Sequence, residues 1–321
     1  MYSHHRHKHA PGLDKLWVVA VISNPARYRS RYELFKKFKH MVERAGANLL
    51  VVELALGDRP FEVTDPSNPH HVQLRTWDEI WHKENMINLG IQRLPDDWEY
   101  VAWIDADIEF MRQDWAEEIV HQLQHYQIIQ LFQNAVDLGP QGEVLKTYDG
   151  FMWSWVTHQP MPYSKHSYTN GYYPHWHPGY AWAARREAVD YLGGLIDWAI
   201  LGAADHHMAC ALIGKVTDYA APKKISAPYK KHLIMWQDRA LKHIRKDVGY
   251  MPGTIFHHWH GKKADRKYIQ RWDILLRHNY DPEYDLKRDW QGVLTFTDQG
   301  ERMRNDIREY FRQRNEDSID L

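Results

Sequence analysis

Cysteine is nearly missing from this chain of 321 residues. Cys210 stands alone in an apolar stretch, which excludes an intramolecular disulfide framework and suits a reducing compartment. No run approaches the roughly 20 apolar residues that cross a bilayer, and the N-terminus has no apolar core of a secretory signal. A protein neither anchored in a membrane nor secreted is expected, with the cytoplasm as its compartment. An excess of charge is lacking as well. Lys and Arg total 41 against 42 Asp and Glu, so the whole molecule has no strong field towards polyanions or lipid surfaces. Gly-rich phosphate loops, dinucleotide fingerprints, paired zinc cysteines and the Gly-x-Ser-x-Gly turn are absent too, which sets aside hydride transfer, zinc-thiolate sites and serine hydrolysis.

What is present is ample apolar material, 44% of the residues, for a sizeable core. Tryptophan is abundant at 15 residues, several beside His and Tyr, and flat ligands such as sugars or bases would explain such density. The polar, His-rich start, residues 1–14, reads as a disordered tail. Leu16 to Ile22 is a β-rich run closed by Ser23-Asn24-Pro25; Tyr32 to Ala45 has helical spacing and stops at Gly46; Asn48 to Leu54 is a second strand. Trp77 to Gln92 and Asp114 to Tyr126 read as helices, Tyr100 to Ile104 and Ile128 to Phe132 as strands. Such alternation predicts an α/β fold with a mostly parallel central sheet flanked by helices. Residues 137–178 read as an irregular, aromatic insertion facing substrate, followed by helices over Arg185 to Leu192 and Asp205 to Ile213. One domain over residues 15–275 is expected, with a C-terminal helical extension over 276–321 that carries a charged amphipathic helix from Arg302 to Asn315.

Asp105-Ala106-Asp107 emerges from the apolar run Tyr100 to Ile104. Two carboxylates one residue apart can converge on a hard divalent cation and leave its other positions open to substrate oxygens. A bare D-x-D serves equally as a strand end that caps the next helix. Ligands of open α/β sheets bind beyond the carboxyl ends of the strands, which puts this motif and the loop carrying Arg27, Arg29 and Arg31 at one edge. Arg27 is the foremost of the three as a nucleotide-site residue. In Phe256-His-His-Trp-His-Gly261, strand alternation places His258 and His260 on one face as candidates for a third metal ligand, with plain packing as the competing role. Lys262, Lys263 and Arg266 follow closely, either to cradle phosphates or as solvated charges.

Taken in order, Leu16 to Ile22, Lys83 with Asn88, Tyr100 to Phe110, Gly193-Gly-Leu-Ile196 with Asp205, and Phe256 to Gly261 resemble the GT-A glycosyltransferases over roughly residues 16–275. The resemblance implies a Rossmann-like sheet that binds a nucleoside-diphosphate sugar through Mn²⁺ or Mg²⁺ at the D-x-D, often with a C-terminal His on the metal. It makes Asp107 a direct ligand, lets Asp105 bind the donor ribose or sugar as well as the metal, and turns Lys83 and Asn88 to the donor. Asp205 becomes the base that takes the acceptor proton in an inverting transfer; its other roles are an N-cap or, in a retaining enzyme, a contact to acceptor or sugar. A nearer resemblance is to phage and bacterial glycosyltransferases that end in His-Trp-His-Gly and a charged tail, which implies a host cytoplasm if the chain is phage-encoded.

The acceptor is open between two classes. Trp153, Trp155, Trp176, His177, Tyr180 and Trp182 crowd the region before Asp205, and aromatic faces of this kind contribute about 1–3 kcal/mol each when they stack on bases. Between Lys223 and Arg271, 13 Lys or Arg residues stand against 3 Asp. Such a segment either follows a DNA backbone, the acceptor being a hydroxymethylated base of phage DNA, or surrounds the donor diphosphate and a solvated face, the acceptor being a glycan. The alternative from another class is a non-catalytic carbohydrate- or nucleic-acid-binding module, which has no use for Asp105, Asp107 and Asp205.

Overall fold

The structure, a computed structural model, describes residues 11–158, 164–166, 171–173 and 177–321. Strand β1 (Leu16–Ser23) divides its side chains between two apolar layers. Leu16, Val18, Ala20 and Ile22 pack with Phe35 and Phe38 of α1 (Arg29–Arg44), whereas Trp17 and Val19 face the opposite layer. A strand buried on both faces needs an unbroken apolar run, and that is what Leu16 to Ile22 supplies. The chain continues through β2 (Asn48–Leu56), β3 (His71–Thr76), α2 (Lys83–Ile91), β4 (Tyr100–Ile104), β5 (Ile108–Phe110) and α3 (Trp115–Gln122). Then come β6 (Ile128–Gln130), β7 (Asn134–Leu138), β8 (Val144–Asp149), α4 (Phe151–Val156), β9 (Ser164–His166) and β10 (Gly171–Tyr173). The second half holds β11 (Ala181–Arg185), α5 (Arg186–Leu192), α6 (Ala204–Leu212), α7 (Val216–Tyr219), α8 (Ala227–Arg239), β12 (Val248–Tyr250) and β13 (Thr254–His257). It closes with α9 (Trp272–Arg277), α10 (Pro282–Asp285), β14 (Leu286–Arg288), β15 (Leu294–Phe296) and α11 (Arg304–Arg312).

Seven strands form the central sheet in the order β12-β6-β11-β4-β1-β2-β3. Only β11 runs against its neighbours, pairing antiparallel with both β4 and β6. This is the mostly parallel α/β sheet flanked by helices that the sequence predicts. A smaller sheet, β5-β13-β7-β8, stands beyond the carboxyl end of β4, and the turn between β4 and β5 carries the Asp105–Asp107 motif. Among the described residues no helix is long and apolar enough to cross a membrane.

Several boundaries differ from expectation for tertiary reasons. Helix α2 begins at Lys83 rather than Trp77, because residues 77–82 are tied to distant segments: Asp78 Oδ2 accepts from Phe296 N (2.9 Å) and Trp81 N donates to Ile200 O (2.8 Å). Residues 137–178 are not irregular in their described parts. They hold the end of β7, then β8, α4, β9 and β10. Of the tail expected over residues 1–14, residues 11–14 are described and Leu13 is buried in a 3-10 turn; residues 1–10 lie outside the described residues. The C-terminal extension over 276–321 packs on the body of the protein: Val293, Leu294, Phe296, Met303, Ile307 and Tyr310 are buried in the same core as α2 and α6, and the amphipathic helix turns its apolar face there.

Candidate functional site

A cavity of about 590 Å³ opens where β1 and β4 end, lined by Ser23 and Asn24, by Asp105 to Asp107, by Lys83 and Glu84 of α2, and by Asp205 of α6. The β4–β5 turn is fixed by its backbone. Asp105 N donates to Tyr180 O (2.8 Å), and Asp107 O accepts from His258 N (2.8 Å), which brings the motif against the end of β13.

There Asp107 meets two imidazoles. His260 Nε2 lies 2.7 Å and His257 Nε2 3.7 Å from Asp107 Oδ2, and the two Nε2 atoms are 3.2 Å apart. Burial works against ionising Asp107, but His260, His257 and Arg266 outweigh it and hold the carboxyl well below its ordinary range. His257 Nδ1 is 2.9 Å from Asp137 Oδ1. Asp137 is kept ionised, despite burial, by His257 and by the ammonium of Lys263, and an ionised carboxylate can only accept. It therefore takes the Nδ1 proton of His257, and the Nε2 lone pair points at Asp107 and His260. Burial also pushes the His257 pKa down to about 4, so this imidazole is neutral at pH 7. The donor atoms of Asp107, His257 and His260 all lie within 4.8 Å of one another, and Asp107 Oδ1 is buried with no hydrogen-bond partner. Lone pairs and a carboxylate gathered this closely suit a cation at their centre.

The expected residues are distributed unevenly about this centre. Asp107 and His260 are brought together, but with His257 in place of His258. Strand β13 stops at His257, so alternation no longer governs the residues beyond it, and His258 turns out to Glu109 (2.9 Å). Asp105 forms an ion pair with Lys83 and stands beside the triad, outside it; burial raises its pKa to about 6 although Lys83 acts the other way. Asp205 lines the cavity within the first turn of α6, where its Oδ1 accepts from His206 N (2.7 Å); the N-cap position is taken by Ala203, so capping is not the role of this carboxylate. Gly179 makes room for it, because a Cβ there would come within 2.5 Å of Asp205 Oδ2.

Other expectations are corrected. Arg27 is exposed and reaches Glu62 (3.4 Å) away from the cavity, while Arg31, one helical turn further on, lines it. Asn88 binds Leu195 N and O, secures the loop after α5 and is not in the cavity lining. Lys262 is not in the lining, whereas Lys263 and Arg266 are. Trp182 is buried in the sheet with its Nε1 on Pro178 O (2.9 Å), and Trp153 of α4 is also away from the cavity wall. His177 and Tyr180 do line it, stacked with centroids 3.8 Å apart; Trp176 lies outside the described residues.

Alternation favours His258 and His260 over His257, although any of the three histidines could serve as the ligand. Glu84, Arg314 and Glu316 are lining residues that carry no signal in the sequence. Glu84, next to Lys83, is buried enough for its pKa to rise to about 8, and no motif marks it. Arg314 and Glu316 come from the far end of the chain and reach the cavity only because the C-terminal segment folds back. Their pairing, Arg314 Nε to Glu316 Oε1 at 2.6 Å, looks in sequence like surface charge.

No protein-family model and no curated protein matches the chain. Solved structures to which it is similar include the catalytic domain of Drosophila β1,4-galactosyltransferase 7 in complex with xylobiose, at 13% identity and a TM-score of 0.37, covering 88% of this chain and 94% of that one. Others are a putative nucleotide-diphospho-sugar transferase from Desulfovibrio desulfuricans (11%, TM-score 0.32, 83% and 98%) and 4-diphosphocytidyl-2C-methyl-D-erythritol synthase from Anaerococcus prevotii (8%, TM-score 0.37, 75% and 89%). At these scores the likeness is loose, and what the site can do follows from its own side chains.

Proposed function

We propose that the protein is a metal-dependent glycosyltransferase that moves a sugar from a nucleoside-diphosphate donor to an acceptor hydroxyl. One observation carries this reading: the Asp107, His257 and His260 donor set lies in a cavity whose lining also carries Arg31, Lys263, Arg266 and Arg314, with Arg31 and Arg314 paired to Glu316 and Lys263 to Asp137. Two imidazoles and a carboxylate also suit ferrous iron in oxygenases. Arg and Lys can also hold a carboxylate co-substrate in such enzymes, but several cationic side chains around one site suit the two phosphates of a diphosphate leaving group. A divalent cation held by the triad would supply the neutralising charge for departure of the diphosphate, and the imidazoles favour Mn²⁺ over the harder Mg²⁺.

The remaining roles fall to residues of the chain. Arg266, whose Nε has no partner, is the cation best placed to bind the donor anion, while Lys263 holds Asp137 and Arg31 and Arg314 hold Glu316. Asp105, paired with Lys83, faces the donor sugar or ribose. Asp205, on the α6 side of the cavity, takes the proton of the attacking hydroxyl. Tyr180 is sandwiched between His177 and His257, with centroids 3.8 and 4.7 Å away, so an apolar contact to a pyranose falls to His177. A glycan acceptor is favoured over DNA because the basic stretch disperses. Of its 13 cations, only Lys263, Arg266 and Arg271 line the cavity, while Lys230, Arg239 and Arg245 hold backbone carbonyls and Lys231 faces Glu283.

The test is a panel of nucleoside-diphosphate sugars, read by thermal stabilisation and slow donor hydrolysis with Mn²⁺ and with EDTA. Stabilisation by one donor, lost in EDTA and in Asp107→Asn, is expected. A wild-type protein indifferent to every donor would turn the assignment to a non-catalytic binding module.

A further inference from the structure

The strongest unexplained feature is a buried glutamate near the end of the chain. Glu316 is only 1% exposed and lines the cavity, yet it belongs to a segment whose composition is that of a charged tail. Its carboxylate is gripped by Arg31 through Nε (2.5 Å) and NH2 (2.7 Å), and by Arg314 Nε (2.6 Å). Burial opposes its ionisation, but the two guanidiniums outweigh this and keep it charged. Its Oε2 stands 3.7 Å from His260 Nδ1. The far nitrogens of both triad imidazoles thus face a carboxylate: Asp137 for His257, Glu316 for His260.

His260 has conflicting neighbours. Its Nε2 is 2.7 Å from the ionised Asp107 carboxylate, which can only accept, and 2.8 Å from Arg266 NH2, which can only donate and also lies 3.3 Å from Nδ1. A cation that takes the place of a proton between Nε2 and Asp107 requires the imidazole to carry its proton on Nδ1, the side that Glu316 faces.

The segment is fastened to two parts of the site at once. Asp317 accepts from Arg29 N and Ser30 N, both at 2.8 Å, and Asn315 N donates to Tyr28 OH (3.1 Å), which ties it to the start of α1. Trp259 Nε1 donates to Ser318 O (2.6 Å), which ties it to the turn carrying His260. Gly261 in that turn, at φ +83°, lets the two backbones touch; a Cβ would stand 2.7 Å from Asn315 O.

We propose that Glu316 is a positioning residue for His260, and that the C-terminal strap over residues 314–318 is a working part of the metal site. The strap joins the first turn of α1, which bears Arg31, to the turn bearing His260, so its order and the geometry of the triad are coupled. This rests on the metal-site reading above, and the experiment separates the two. Mn²⁺ alone is titrated into the full-length wild type, Glu316→Gln, Glu316→Asp and Asp317→Ala, with the Co²⁺ absorption spectrum of each as a second readout. Loss of an orienting partner of this kind weakens metal binding by about 10- to 100-fold. Glu316→Gln is expected in that range with an altered Co²⁺ spectrum, and Glu316→Asp partly restored. Asp317→Ala removes an exposed fastening without touching the buried charges, so it folds even if Glu316→Gln does not, and a several-fold loss of Mn²⁺ affinity is expected. Wild-type affinity and spectrum in Asp317→Ala and in every folded Glu316 variant would overturn the positioning role and leave the metal site standing. Failure of the wild type to bind Mn²⁺ would overturn both.

Discussion

Asp205 lies inside the first turn of α6, and its exchange to Asn preserves shape while removing the proton acceptor. A general base of this kind contributes roughly 10²- to 10⁴-fold to the rate. Asp205→Asn is expected to lower kcat by that order while donor affinity, measured by calorimetry, stays at the wild-type value; an unchanged kcat would remove Asp205 from the chemistry. Two residues along, His207 is fully buried with Nε2 on Tyr229 OH (2.7 Å), and burial lowers its pKa to about 3. Because the folded form resists protonation, the unfolded chain binds the extra proton between the ordinary histidine value of about 6.5 and about 3. Stability is therefore expected to fall with decreasing pH across that window, by about 1.4 kcal/mol per pH unit from this one group. His207→Gln should shallow the slope by that amount in urea melts at a series of pH values; an unaltered slope would show that His207 takes up its proton while folded.

Helix α2 carries Lys83 and Glu84 into the cavity, and one glycine sets its distance from the sheet. A Cβ on Gly90 would meet Val19 Cγ1 at 2.7 Å and Val52 Cγ2 at 3.0 Å, so the helix lies closer to β1 and β2 than any side chain there would permit. Alanine gains helix propensity of up to about 1 kcal/mol, but overpacking costs about 1–3 kcal/mol. Gly90→Ala is expected to destabilise by on the order of 1–2 kcal/mol and to raise the KM for donor, because Lys83 moves with the helix. A denaturation midpoint equal to or above wild type would refute this. At the same scale, residues 77–82 illustrate where periodicity misleads. Their apolar spacing suits a helix, but Asp78 and Trp81 are held by partners more than 100 residues away, and no local pattern records those bonds.

Across the whole molecule, near-neutral charge and a dispersed basic stretch bear on the acceptor. A protein that follows duplex DNA loses affinity steeply as salt rises, in proportion to the phosphates it neutralises. Binding of this chain to duplex DNA is expected to be weak with a shallow salt dependence in fluorescence anisotropy; a steep slope would restore the DNA acceptor. The carboxyl edge of the sheet, the β4–β5 turn, β13 and the C-terminal strap meet in one cavity although they are spread over nearly 300 residues. The chain must therefore complete its last segment before the site is whole.

The alternating pattern of buried strands and amphipathic helices determined the mostly parallel sheet, because side-chain burial on one or both faces is written in local periodicity. Asp107 and His260 were legible for a related reason: an acidic pair at a strand end and a histidine cluster are compact motifs. Where β13 stops, and hence that His257 rather than His258 joins them, was decided by pairing with β5 and β7. That Arg31 rather than Arg27 lines the cavity was decided by the helix that begins at Arg29, and Glu316 by contacts between chain ends. Sequence fixes what each segment can bury, but which charges stay dry depends on segments that meet only when the chain has folded.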